Sequence, residues 1–217
     1  MNRIFSYTNI DSIITMNQTI FLGHDFGQGW FCKNKKIFAI DISKNASSSG
    51  KQFFENNNFA PSNFNDKNVN PEKFIAILRD PIERWISGLA EYIAGDYGNL
   101  KFKNVSDCFF NNELLETLIF DQIVFDGHTL PQIAYLQGLD IRKIDFYYFD
   151  NDVFDKISYY NQLDNINLKY SNSKTKNEDK IYIHDYLASQ LKDSEKMKKI
   201  QRMYYCDYQL FDEIKFV

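Results

Sequence analysis

An α/β fold is what this sequence predicts: one domain over residues 1–217, built on a parallel sheet flanked by helices. Three observations predict it. Short apolar runs rich in β-branched residues alternate with stretches of helical periodicity. Turn-forming residues separate them, the order expected of a parallel sheet with helices on both faces. The chain's 217 residues, 44% of them apolar, suit one hydrophobic core, much of its area supplied by 20 Phe and 14 Tyr.

The first strand falls at Lys36–Ile42 (KIFAIDI), a short buried run, with the first turns of a helix at Lys51–Asn56 after a small-residue turn. Residues 56–72, Asn-rich with two prolines, read as a surface loop. Phe74–Leu78 (FIAIL) is the second buried strand. A helix follows at once: Asp80 suits the N-cap, Pro81 the first helical position, and Glu83 completes a capping-box spacing. Ile82, Trp85, Ile86, Leu89 and Ile93 form its buried stripe, which places Arg84, Ser87 and Glu91 on the opposite face. Ile144–Phe149 is a third strand, with Asp150 or Asn151 capping a helix that turns Val153, Phe154, Ile157 and Tyr160 inward. Residues 171–180 read as a second polar loop. Near the C-terminus Ser194 caps one helix running through Met197, Ile200, Met203, Tyr204, Asp207 and Tyr208.

Net charge of −4 argues against a surface made to grip nucleic acid, while leaving room for a local basic pocket. No run approaches eighteen uninterrupted apolar residues, so no membrane span is expected. The first twenty residues lack the basic start, apolar run and cleavage site of a signal peptide, so a cytoplasmic location is expected. Cys32, Cys108 and Cys206 are odd in number and far apart, which fits neither a disulfide framework nor a zinc site.

Two segments carry chemistry. After the first strand come Ser43, Lys44, Asn45, Ala46, Ser47, Ser48, Ser49, Gly50 and Lys51. Small residues let the backbone turn sharply at a helix N-terminus, where exposed amides and a positive dipole end receive phosphate. Lys44 adds a full charge and the serine hydroxyls add donors. The same loop also suits a plain serine-rich turn capping a helix. It is not a Walker P-loop: Asn45 stands where the first Gly belongs, and Gln52 follows Lys51 in place of the magnesium-binding Ser/Thr. The second segment is Arg79, at the C-terminal end of the second strand, where open α/β sheets bind ligands. With Ser87 it could reach one anion; a surface helix with Arg79–Asp80 or Glu83–Arg84 ion pairs is the bland alternative.

The stretches Ser43–Ser49 and Leu78–Ser87 (LRDPIERWIS) together resemble the two cofactor signatures of sulfotransferases, Pro-Lys-x-x-Ser-Thr-Ser and Arg-Asp-Pro-x-x-Arg-x-x-Ser. The likeness is closest to the carbohydrate group that includes heparan sulfate 2-O-sulfotransferase. Asp126-Gly-His128-Thr-Leu-Pro131-Gln132 is similar to the group's Asp-x-His-x-x-Pro-Gln segment, and Tyr205–Phe211 to the last seven positions of its Tyr-x-x-Asp-Tyr-x-Leu-Phe ending. Asn172-Ser173-Lys174 sits where members carry a loop over the nucleotide. The resemblance implies a P-loop-like sheet of the sulfotransferase type and the cofactor 3′-phosphoadenosine 5′-phosphosulfate (PAPS). The acceptor would be a hydroxyl of a carbohydrate or small molecule. It also implies that Lys44 contacts the 5′-phosphosulfate, that Asn45, Ala46, Ser47, Ser48 and Ser49 cradle the 5′-phosphate, that Arg79 and Ser87 hold the 3′-phosphate, and that Ser173 belongs to the covering loop. Ser43 replaces the family's usual proline and Ser48 its usual threonine.

The family often places a catalytic His or Glu between the two signatures, and residues 45–78 hold no histidine. His128 is the first candidate for the general base by its motif context; His24, Glu55 and Asp66 stay open, while Asp121 and Asp126 read as surface or capping residues. Two rival classes remain beside the sulfotransferase: a nucleoside or small-molecule kinase, and a non-catalytic nucleotide-binding protein.

Overall fold

The computed structural model describes residues 26–94, 113–164 and 178–217. Among the described residues, five strands form one sheet: β1 (Gln28–Cys32), β2 (Ile37–Ile40), β3 (Ala60–Asn63), β4 (Lys73–Leu78) and β5 (Ile144–Tyr148), in the order β3-β1-β2-β4-β5. The expected all-parallel sheet is corrected here. Only β2, β4 and β5 run parallel; β1 pairs antiparallel with both β2 and β3. The three parallel strands are the three expected from their apolar runs. The other two were not expected, and β3 lies inside the segment 56–72 read above as loop.

The described helices are α1 (Ser47–Asn56), α2 (Pro81–Ala94), α3 (Glu113–Gln122), α4 (Val153–Asn161), α5 (Glu178–Gln190), α6 (Ser194–Met203) and α7 (Tyr205–Glu213), with 3-10 turns at Gln132–Leu136 and Ile141–Lys143. The chain divides into two compact units. The first takes in described residues 26–79, 132–164 and 210–217; the second, 80–94, 113–131 and 178–209.

In the first unit, alternation along the strands sorts the sheet's side chains to two faces. Trp30, Cys32, Ile37, Ala39, Ile75, Ile77 and Tyr147 pack with Phe53 and Phe54 of α1 and with Val153, Phe154 and Ile157 of α4. The alternate positions make an aromatic face, where Phe38 meets Phe64 and Phe74 at ring-centroid distances of 5.6 and 6.0 Å. Tyr160, expected to point inward from α4, is instead 54% exposed: Ile157 completes the inward face, and Tyr160 packs its ring on Tyr159 at 5.1 Å. Asp152, rather than Asp150 or Asn151, is the residue preceding α4; Asp150 bonds the Asp152 amide at 3.0 Å.

The second unit has a separate core. Trp85, Ile86, Leu89 and Ile93 of α2 pack with Ile119 and Phe120 of α3, Ile183 and Leu187 of α5, and Ile200 of α6. Asp80 caps α2 as expected, accepting from the Glu83 amide at 2.9 Å. The single C-terminal helix is corrected to two: Tyr204 ends α6, and Asp193, not Ser194, caps it by accepting from the Glu195 amide at 2.8 Å. Among the described residues, no helix is long and apolar enough to cross a membrane.

Candidate functional site

The first unit positions the phosphate-loop residues. After β2 the chain passes Asp41–Ala46 and enters α1, with Lys44 at φ 68° and Ala46 at φ 66°. Left-handed backbone costs a residue with a Cβ on the order of 1–2 kcal/mol, so the loop must be held by what surrounds it. Asn45, only 4% exposed, holds it between the two. Its Nδ2 donates to the Ile77 carbonyl at 2.8 Å and to Gln132 Oε1 at 2.5 Å, and its amide donates to the Ile42 carbonyl at 3.0 Å. The Ser47 hydroxyl donates to the same Ile42 carbonyl at 3.1 Å. That hydroxyl helps to hold the loop. The N-cap residue of α1, Ala46, makes no side-chain cap bond, and the first turn carries no acidic residue. Amides and the positive dipole end of a helix N-terminus favour an anion.

Arg79 follows β4, the strand next to β2 and parallel to it. The parallel pairing brings the end of β2, which feeds the Lys44 loop, and the end of β4 to the same end of the sheet. The Arg79 guanidinium lies over the Phe149 ring at 5.4 Å, a cation–π contact. Gln132 holds the Arg79 backbone from both sides: Oε1 accepts from the amide at 2.9 Å and Nε2 donates to the carbonyl at 2.8 Å. Nothing local in the segment 126–132 gives Gln132 this role, since Arg79 lies 53 residues away in the chain.

The second unit holds Ser87 and His128. Ser87 is half-buried on α2. Arg84, expected on the exposed face, is 0% exposed and donates to the carbonyls of Leu130 and Gly127, the latter at 3.2 Å. Glu91 is tied to Lys180 at 2.7 Å. The polar face inferred for α2 is thus largely committed to internal bonds.

Arg84 and Tyr204, whose hydroxyl donates to the Thr129 carbonyl, fix the loop 126–130. Within it, Asp126 Oδ1 accepts from the His128 amide at 2.9 Å, and Oδ2 lies 2.6 Å from His128 Nδ1. A carboxylate there puts the proton on Nδ1 and leaves Nε2 as the basic nitrogen of the neutral ring. Asp126 caps its turn, as expected, and also orients the histidine. A Cβ at Gly88 would lie 2.3 Å from the His128 carbonyl oxygen. Gly88→Ala is therefore expected to lower stability by about 1–3 kcal/mol as helix and loop separate, which thermal melting measures; an unchanged melt would mean that the loop gives way without cost.

The remaining candidates separate clearly. Glu55 is exposed and lies 3.9 Å from Lys51. Asp66 closes an exposed turn, accepting from the Asn68 amide at 2.9 Å. Asp121 is a surface residue paired with Lys199 at 2.7 Å. His24 and Ser173 lie outside the described residues. Burial, then the Asp80 and Asp207 carboxylates, push the Tyr208 hydroxyl up to about 12, so it stays a protonated donor. Burial, with Asp207 beside it, also raises the Cys206 thiol, which disfavours thiolate chemistry there.

No family profile matches the chain, and no curated protein or solved structure matches it either.

Proposed function

We propose that the protein is a sulfotransferase that moves the sulfuryl group of PAPS to a hydroxyl of a carbohydrate or small-molecule acceptor. The observation that carries this reading is the pairing of two cationic elements on adjacent parallel strands of the first unit. The Lys44 loop runs into the N-terminus of α1, Arg79 follows the next strand, and Gln132 bonds both. Such a donor set suits a nucleotide with phosphate at both ends.

In this reading, PAPS supplies an activated sulfuryl group on a phosphate leaving group. The acceptor oxygen forms a bond to sulfur as the bond to the bridging phosphate oxygen breaks, releasing 3′,5′-adenosine bisphosphate. Lys44 neutralises charge growing on the bridging oxygen, and the first-turn amides of α1 bind the 5′-phosphate. Arg79 holds the 3′-phosphate. For Ser87, and for His128 as the base that takes the acceptor's proton, the reading rests on the resemblance. The oriented Nε2 is the local feature that suits His128 to this role.

Thermal unfolding tests the proposal. At one hundred times its dissociation constant, 3′,5′-adenosine bisphosphate is expected to add about 2.7 kcal/mol without magnesium, raising the melting temperature by roughly 5–10 °C. The rise should exceed that with ADP. Arg79→Ala should weaken bisphosphate binding about tenfold to a hundredfold, the loss of a charged hydrogen bond; equal affinity in the variant would remove Arg79 from the 3′-phosphate. A shift with ATP and magnesium alone would move the protein to the kinase class. Binding without turnover across many acceptors would move it to the non-catalytic class.

A further inference from the structure

We propose that Gln132 is a positioning residue that sets both phosphate-binding elements of the first unit at once; the inference rests on the function proposed above. Its side chain is 0% exposed and acts as a two-sided clasp. One end of the amide takes both the Arg79 amide, at 2.9 Å, and the Asn45 Nδ2, at 2.5 Å. The other end donates to the Arg79 carbonyl at 2.8 Å. The pair of bonds to Arg79 imitates the exchange a neighbouring strand would make, and prolongs the sheet's bonding one residue past the end of β4 at Leu78. The bond to Asn45 reaches the residue lying between the two left-handed positions of the phosphate loop.

These contacts define a division of labour. Asn45 holds the loop through Gln132 and, independently, through the Ile77 carbonyl at 2.8 Å. Arg79 has its backbone held on both sides by Gln132. Loss of the clasp therefore loosens both ends, whereas loss of Asn45 loosens only the loop. Buried amide bonds of this kind also contribute stability. A residue that only stabilised the fold would lower the melting temperature without changing affinity, because a small unfolded fraction leaves the apparent dissociation constant unchanged.

The test is titration calorimetry at 25 °C on the full chain with adenosine 5′-monophosphate, adenosine 3′-monophosphate and 3′,5′-adenosine bisphosphate. Gln132→Met is expected to weaken each monophosphate about threefold to tenfold, and the bisphosphate by roughly the product of the two factors. Asn45→Ala, which leaves Gln132 on Arg79, should weaken the 5′-monophosphate and spare the 3′-monophosphate. That contrast decides the matter even if Gln132→Met does not fold. Wild-type affinities in Gln132→Met, or equal losses at both ends in Asn45→Ala, overturn the role of Gln132 while leaving the sulfotransferase reading in place. Failure of the wild-type protein to bind the bisphosphate overturns both.

Discussion

Lys44→Ala is expected to reduce sulfuryl transfer by at least about 10²–10³-fold in kcat, the usual cost of removing one donor aimed at developing charge. Lys44 and Ala46 both hold left-handed conformations, at φ 68° and 66°, so an alanine at 44 adopts what its neighbour two residues on already adopts. Asn45 and Ser47 make bonds that hold the loop whatever stands at position 44. Fold and loop should therefore persist while the charge is lost. Affinity for 3′,5′-adenosine bisphosphate, which lacks the transferring group, should fall less than kcat does. Single-turnover transfer of labelled sulfuryl group measures the effect, and a rate within about threefold of wild type would remove Lys44 from the reaction.

The largest stability effect should come from Arg84→Met. The wild-type guanidinium is fully buried in the second unit and donates to two loop carbonyls, at Leu130 and Gly127. Methionine fills much of the volume but leaves those carbonyls without their donor, at a cost of about 3 kcal/mol. Melting should fall by roughly 6–12 °C for a chain of this length. Lys198→Ala provides the control: its partner Glu195 lies 2.9 Å away, but both side chains are largely exposed, so the change should stay within about 0.5 kcal/mol. If Arg84→Met melts with the control, the buried bonds contribute little and Arg84 behaves as a surface residue.

Arg84 also marks where sequence reasoning ended. Spacing along α2 correctly identifies Trp85, Ile86, Leu89 and Ile93 as buried, because that stripe is periodic within fourteen residues. It cannot reveal that the opposite side is covered by a loop more than forty residues on in sequence. Gln132 was hidden for the same reason, bonding to Arg79 and Asn45 from 53 and 87 residues away. Local signals did well where they were complete. The Asp80-Pro81 start of α2 holds because capping chemistry is contained within four residues. The parallel strands were legible as apolar runs between turns, but β1, with its glycine, and β3, Ala-Pro-Ser-Asn, carry no such run. Their strand character comes from pairing with one another and with β2.

Those added strands matter beyond the site. A sheet's open margins are where separate molecules stitch together into aggregates. Here β3 forms one margin, only four residues long and carrying Pro61, which has no amide hydrogen to offer an incoming chain. At the other margin, Phe216 forms a bridge to Phe146 of β5, and the Val217 amide bonds the Phe146 carbonyl at 2.9 Å. Among the described residues, this apolar, parallel-cored sheet is thereby bordered by a blunt strand on one side and by Phe216 and Val217 on the other. The consequence is colloidal: this sheet offers neighbouring molecules little template for adding strands of their own.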